Sequence, residues 1–344
     1  MHIAALSAGG QAPSGRFNGV VHSVFRQACN IRLDDGRLLA LLAPHLGNAP
    51  HGVRLDLPPG FGFSRQVAVG QRVGCRADVL RVASDELSID LGAAQAWRGE
   101  LPAGGVDLTN PDVAQAWRAA WHALRHARPR TDIPEIELIG WIVDDQGVRL
   151  ARAARDLQVD QAARALDRLI GCGPGLTPSG DDLVVGFLAG LWSTVGRDPA
   201  RRAFLQELCV AVVSAAAATG DISRAYLMHA AQGLFAEPLT TLAWHLCEGA
   251  AVADVERATM AALRVGHTSG ADGAFGLLLG FAAWAAQSVL AGLSRASNVV
   301  AGLAPAIQSS FRRDGRLATA GDAWPTSLSA VDVRVPCIAR LAEC

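Results

Sequence analysis

The sequence predicts an α+β protein in which a small β-barrel or sandwich-like domain precedes a mainly α-helical one. Three observations carry that prediction. Short apolar runs of strand length recur between Arg16 and Leu91, the hydrophobic period then lengthens from two toward 3.6, and a phrase that opens a helix occurs twice in the second part. Leu101-Pro102-Ala103-Gly104-Gly105 separates the two parts, giving expected domains of 1–105 and 106–344.

In chain order, Val20, Val21, Val24 and Phe25 form the first strand-like run. Ile31 to Leu33 is joined to Leu38 to Leu42 across Asp34-Asp35-Gly36, a hairpin signal. Val53 to Leu57 alternates before the Pro58-Pro59-Gly60 break, and Val73 to Val82 and Leu87 to Leu91 supply further short strands. Past the linker, Asn110-Pro111 starts a helix whose face is Val113, Ala116, Trp117, Ala120, Trp121 and Leu124, ending at Arg128-Pro129. Ile136 to Val143 reads as one more strand. Helical segments are expected near 151–170, 181–195, 200–217, 222–234, 239–247, 252–264 and 271–293.

Composition narrows the function classes. With 344 residues, half of them hydrophobic, the chain has material for more than one core. A net charge of -1 supplies no basic field for nucleic acid or anionic lipid, so neither partner is expected. All 31 basic residues are arginine, which excludes a lysine-bearing phosphate loop, a Schiff base and a lysine general base. Seven cysteines, without Cys-x-x-Cys spacing, read as reduced thiols. Met1 to Ser7 lacks the pattern of a secretory leader, and a cytoplasmic chain is expected. Gly273 to Leu293 has the length of a membrane span, but its polar start and its glycines every fourth residue favour a buried helix.

The duplicated phrase is Ser-Gly-x-Asp-x-x-x-Gly-x-x-x-Gly, at Ser179 to Gly190 and again at Ser269 to Gly280. Each serine stands where an N-cap is expected, so each start would offer unpaired N–H groups, a positive dipole end and a carboxylate, the makings of an anion or metal–anion site. The first copy follows Gly171-Cys172-Gly173-Pro174-Gly175-Leu176-Thr177-Pro178, a backbone able to wrap a phosphate or carboxylate. Gly173, Gly175, Thr177, Ser179 and Gly180 are therefore candidate anion-binding residues, with Thr268, Ser269 and Gly270 from the second copy. Asp181, Asp182 and Asp272 are candidate orienting acids, or ligands of a divalent cation such as magnesium. His267 could carry a proton. Ser223 and Arg224, in Thr219-Gly220-Asp221-Ile222-Ser223-Arg224, could clamp a carboxylate or phosphate. Against this stands a structural reading: Ser179-x-x-Asp182 and Ser269-x-x-Asp272 resemble capping boxes, and the spaced glycines would only let two helices pack closely.

Gly173-Pro174-Gly175-Leu176-Thr177-Pro178-Ser179-Gly180-Asp181-Asp182 and Gly266-His267-Thr268-Ser269-Gly270-x-Asp272 resemble the AllH family, long catalogued as a domain of unknown function. The likeness is best from Leu166 to Phe281 and extends more weakly to Val24-Phe25 and Asn30-Ile31. Its members include a subunit of oxamate carbamoyltransferase. The resemblance implies carbamoyl transfer between oxamate and carbamoyl phosphate, giving or consuming oxalurate, beside other subunits of a complex. Cys172 departs from the apolar residue expected at its position. Two alternatives stay open: a non-catalytic scaffold or regulatory subunit, and a metal-dependent enzyme acting on another small phosphorylated or carboxylated compound.

Overall fold

A computed structural model describes residues 1–82, 87–102, 106–107, 109–127 and 134–284. Among the described residues nine strands come first: β1 (His2–Gly9), β2 (Phe17–Val24), β3 (Ala28–Leu33), β4 (Leu38–Leu42), β5 (Gly52–Leu55), β6 (Arg72–Arg76), β7 (Val79–Val82), β8 (Leu87–Asp90) and β9 (Gln95–Trp97). They lie in the order β5-β4-β3-β2-β6-β7-β8-β1, and β1 closes the ring by pairing antiparallel with β5. β9 extends the wall by running parallel to the far end of β1. The result is an eight-stranded barrel, which leaves no open edge among its members.

Alternation fills the barrel. Ile3, Ala5, Val21, Ile31, Leu33, Leu39, Leu41, Val53, Leu55, Leu80, Val82 and Ile89 point inward around Phe63. β4 is buried on both faces: Leu39 and Leu41 enter the barrel, while Ala40 and Leu42 pack outside it with Ala49. A strand sandwiched in this way reads as a continuous apolar run.

Nine helices follow among the described residues: α1 (Pro111–Ala127), α2 (Pro134–Arg155), α3 (Val159–Leu169), α4 (Ser179–Thr194), α5 (Pro199–Ala215), α6 (Asp221–Ala230), α7 (Glu237–Glu248), α8 (Val252–Leu263) and α9 (Ser269–Ala283). The strand expected at Ile136 to Val143 is instead the first part of α2. Its β-branched residues favour a strand locally, but Val143, Gly147, Leu150 and Ala154 fall on one helical stripe, with Gly147 against Leu183 and Leu279. The expected helix at 151–170 is divided between α2 and α3 by Leu157, whose φ of 53° turns the chain without a glycine.

α4 and α9 form the centre of the helical part and are buried almost all round. They run parallel, because Leu183 faces Gly276 and Phe187 faces Gly280. A Cβ on Gly186 would stand 1.9 Å from the Gly273 carbonyl oxygen, and one on Gly276 would stand 2.0 Å from that of Leu183. The spaced glycines thus let two backbones touch. Three tryptophans pin the surrounding layers to backbone carbonyls: Trp117 to Leu278, Trp192 to Ala230 and Trp284 to Ala154. Among the described residues no helix is long and apolar enough to cross a membrane, and the part of the 273–293 stretch beyond Trp284 lies outside them.

Candidate functional site

Because α4 and α9 are parallel and in register, the two copies of the repeated phrase begin side by side. Thr177 Oγ1 and Ser269 Oγ are hydrogen-bonded at 2.9 Å, so the corners touch directly. Gly180 and Gly270 play the same part in each: a Cβ would lie 2.0 Å from the Leu169 carbonyl oxygen in one and 2.1 Å from that of Ala262 in the other. The pairs α3–α4 and α8–α9 are therefore one structural unit built twice.

Neither serine caps its helix. Pro178 occupies the N-cap of α4 and Thr268 that of α9, with no side-chain cap bond in either, so Ser179 and Ser269 are already the first helical residues. The capping-box expectation fails because the proline and the Gly173 turn carry the chain into the helix one residue early. At Gly173 φ is 124°, and a Cβ would come within 2.7 Å of the Ser179 nitrogen. Several N–H groups expected to be unpaired are also occupied: Gly180 donates to Cys172, Gly270 to Val265, and both Asp181 and Asp182 to Pro178. The backbone offers an anion less than the sequence promised, and the hydroxyls correspondingly more.

The three acids part company. Asp181 is wholly buried, and its carboxylate accepts from the Gly171 N–H at 2.7 Å, from Thr219 Oγ1 at 2.5 Å and from Ser223 Oγ at 2.6 Å. Burial raises its pKa, and these three donors oppose the rise. With both oxygens so engaged, Asp181 ties α3, α4 and α6 together; Ser223, 2% exposed, faces it. Asp182 sits beneath the touching hydroxyls. Burial lifts its carboxyl well above the usual carboxylate range; the Ser269 and Thr177 hydroxyls oppose this, while the Asp272 and Asp181 charges add to it. Its Oδ2 is sealed from solvent with no hydrogen-bond partner. Asp272, 4% exposed, stands beside it at the start of α9.

Other expected residues lie differently. Arg224 donates Nε to the Ala216 carbonyl and Nη2 to that of Thr219, and it pairs through Nη1 with Asp221, so it locks the turn after α5 instead of clamping a ligand. His267 is exposed on the α8–α9 turn. Gly175 is exposed and Gly173, Ser179 and Thr268 half-buried, so the corner opens to solvent along this rim. Among the described residues no three His, Cys, Asp or Glu side chains gather as a cation site, and both oxygens of Asp181 already accept hydrogen bonds. A groove of about 390 Å³, lined by Ala163, Ile170, Ala211 and Ala215 among others, includes none of these residues.

Sequence reasoning missed one cluster. His51, at the barrel end that enters β5, stacks on His229 of α6 at 4.9 Å and receives the edge of Tyr226 at 5.1 Å. Tyr226, the only tyrosine in the chain, has its pKa raised to about 12, by burial first and then by the Asp182 charge, which places it near that acid. Burial and the His229 charge push the His51 pKa down to about 3; burial and the Arg37 charge push that of His229 to about 4. A signal was available: the i, i+3 spacing of Tyr226 and His229 sets both on one face of α6.

A barrel joined to a paired-helix unit with hydroxyls and buried acids at its double start defines a two-part α+β protein with a polar site between parallel helices. The family model described as oxamate carbamoyltransferase subunit AllH matches residues 169–281, and that of the AllH family N-terminal domain matches 4–96. The chain belongs to the AllH family. No solved structure matches it.

Proposed function

We propose that this chain is a carbamoyltransferase subunit, with domains 1–105 and 106–344, that binds a small anion where the Gly173–Asp182 loop meets the second helix start. The substrates on this reading are carbamoyl phosphate and oxamate, interconverted with oxalurate and phosphate. The observation that carries it is the 2.9 Å contact of Thr177 and Ser269, which joins two distant stretches of sequence over Asp182 and Asp272.

Acids beneath an anion would repel it if both were charged. Burial, which raises the Asp182 pKa, lessens that repulsion by favouring the protonated form, and a protonated carboxyl donates a hydrogen bond to an anionic oxygen or a polarised carbonyl. In the transfer the oxamate nitrogen bonds to the carbamoyl carbon, the bond from that carbon to the phosphate oxygen breaks, and the nitrogen's proton leaves with phosphate or a nearby acid. Asp272 is the candidate acceptor.

Asp182→Asn and Asp272→Asn in the complex isolated with its partner subunits test this: turnover should fall at least a hundredfold. Full turnover with unaltered anion affinity would remove both acids from the chemistry.

A scaffold or regulatory subunit is the second reading, favoured by the glycine-packed helices and by the many first-turn N–H groups already in use. It requires that melting temperature not respond to carbamoyl phosphate, phosphate or oxamate, whereas a binder gains stability as ligand passes its dissociation constant.

A further inference from the structure

We propose that His51, Tyr226 and His229 form, with Asp182, a second subsite beside the Thr177–Ser269 corner that receives the planar amide group of a small substrate. This rests on the reading above and adds residues from the barrel to a site otherwise made only of helix starts. His51 is 2% exposed, and its Nδ1 is buried with no hydrogen-bond partner; the Nδ1 of His229 and the Oδ2 of Asp182 are in the same condition. Sealed polar atoms without partners are uncommon in folded proteins. Here three occur on three elements, linked through ring contacts of 4.9 and 5.1 Å and through the nearness of Tyr226 to Asp182.

The chemistry of these atoms selects the occupant. Burial keeps both imidazoles neutral, so each offers one N–H donor and one bare acceptor nitrogen. A carboxylate presents only acceptor oxygens at neutral pH and would leave the bare nitrogens facing them, and phosphate sets its oxygens around a tetrahedron, with no donors and acceptor in one plane. An amide presents N–H donors and a carbonyl acceptor in one plane, which matches two stacked imidazoles beside a carboxyl group. These residues do not gather as a cation site.

The barrel loop is held in place for this purpose. Glu237, at the start of α7, accepts from both the backbone N–H and the side chain of Asn48 at 2.8 Å, and Asn48 accepts from Ser7 at 2.5 Å. His51, three residues on, is thereby pressed onto α6.

Full-length protein labelled with ¹⁵N-histidine tests the proposal, alone and in the complex isolated with its partners. Oxamate, which has an amide, should shift the Nδ1 signals of His51 and His229, whereas oxalate and phosphate, which have none, should leave them in place. His229→Asn should weaken oxamate binding at least tenfold and leave phosphate affinity unchanged; because His51 is buried, His51→Asn is compared only after its fold is verified by circular dichroism. Oxamate binding with unmoved histidine signals and an unaffected His229→Asn variant would overturn the amide subsite alone. Equal shifts with phosphate would also overturn it. Failure of oxamate, phosphate and carbamoyl phosphate all to bind would overturn both this and the anion site.

Discussion

At the scale of single residues, the adjacent acids Asp181 and Asp182 have opposite fates. Asp181 spends its carboxylate on Gly171, Thr219 and Ser223, so Asp181→Ala strands three buried donors and should cost about 3 kcal/mol of stability, read by chemical denaturation. The histidine pair makes a pH prediction. Both folded pKa values lie below the unfolded value near 6.5, so the unfolded chain binds more protons between that pH and about 3 to 4, and stability falls as pH drops through this window. The loss should be on the order of 3 kcal/mol for each histidine from pH 7 to 4. Asp182 works in the opposite sense, since its raised pKa adds stability on acidification. Asp182→Asn should therefore show a steeper acid loss than the parent, and His229→Asn a shallower one, in melting temperatures recorded from pH 7 to 4. That the repeated serines and acids belong together was legible from their spacing. That one acid is structural was not, because its donors come from Thr219 and Ser223 across a fold that spacing does not reveal.

At the scale of elements, the glycines of the repeat decide how closely α4 and α9 approach. Gly186→Ala and Gly276→Ala each force a Cβ to within about 2 Å of a carbonyl oxygen, and either should cost about 3 kcal/mol or leave the protein unfolded. Gly140, in α2, has nothing within 4 Å of its missing Cβ, so Gly140→Ala should stabilise by about 0.5–1 kcal/mol. A cooperative melt of the three variants gives the contrast directly. Most helices outside the central α4 and α9 were readable from their period, since they keep one apolar stripe. β1 was not: His2 to Gly9 alternates in burial, but besides Ile3 and Leu6 it is written mostly in Ala, Ser and Gly, residues with weak strand preference. Nor was the turn between β6 and β7, where Ala77 and Asp78 take positive φ without a glycine to announce it.

At the scale of the whole molecule, the barrel and the helices meet through charged and polar contacts around α6 and α7. His22 and Arg32 pair with Asp221, and Glu237 holds the loop that carries His51. Glu237→Ala should lower the melting temperature by a few degrees and weaken oxamate binding along with it, whereas Arg257→Ala, at an exposed side chain of α8, should do neither. By itself the sequence determined the α+β class, the order of strands before helices, the duplicated helix start and the absence of lysine chemistry, because all of these are local or periodic properties. Only the tertiary structure decided that the two starts touch, that Asp181 and Arg224 are structural ties, and that a barrel histidine lies against α6. These depend on contacts between residues tens to hundreds of positions apart, and burial, not spacing, sets which polar atom is spent on the fold and which is left for a ligand.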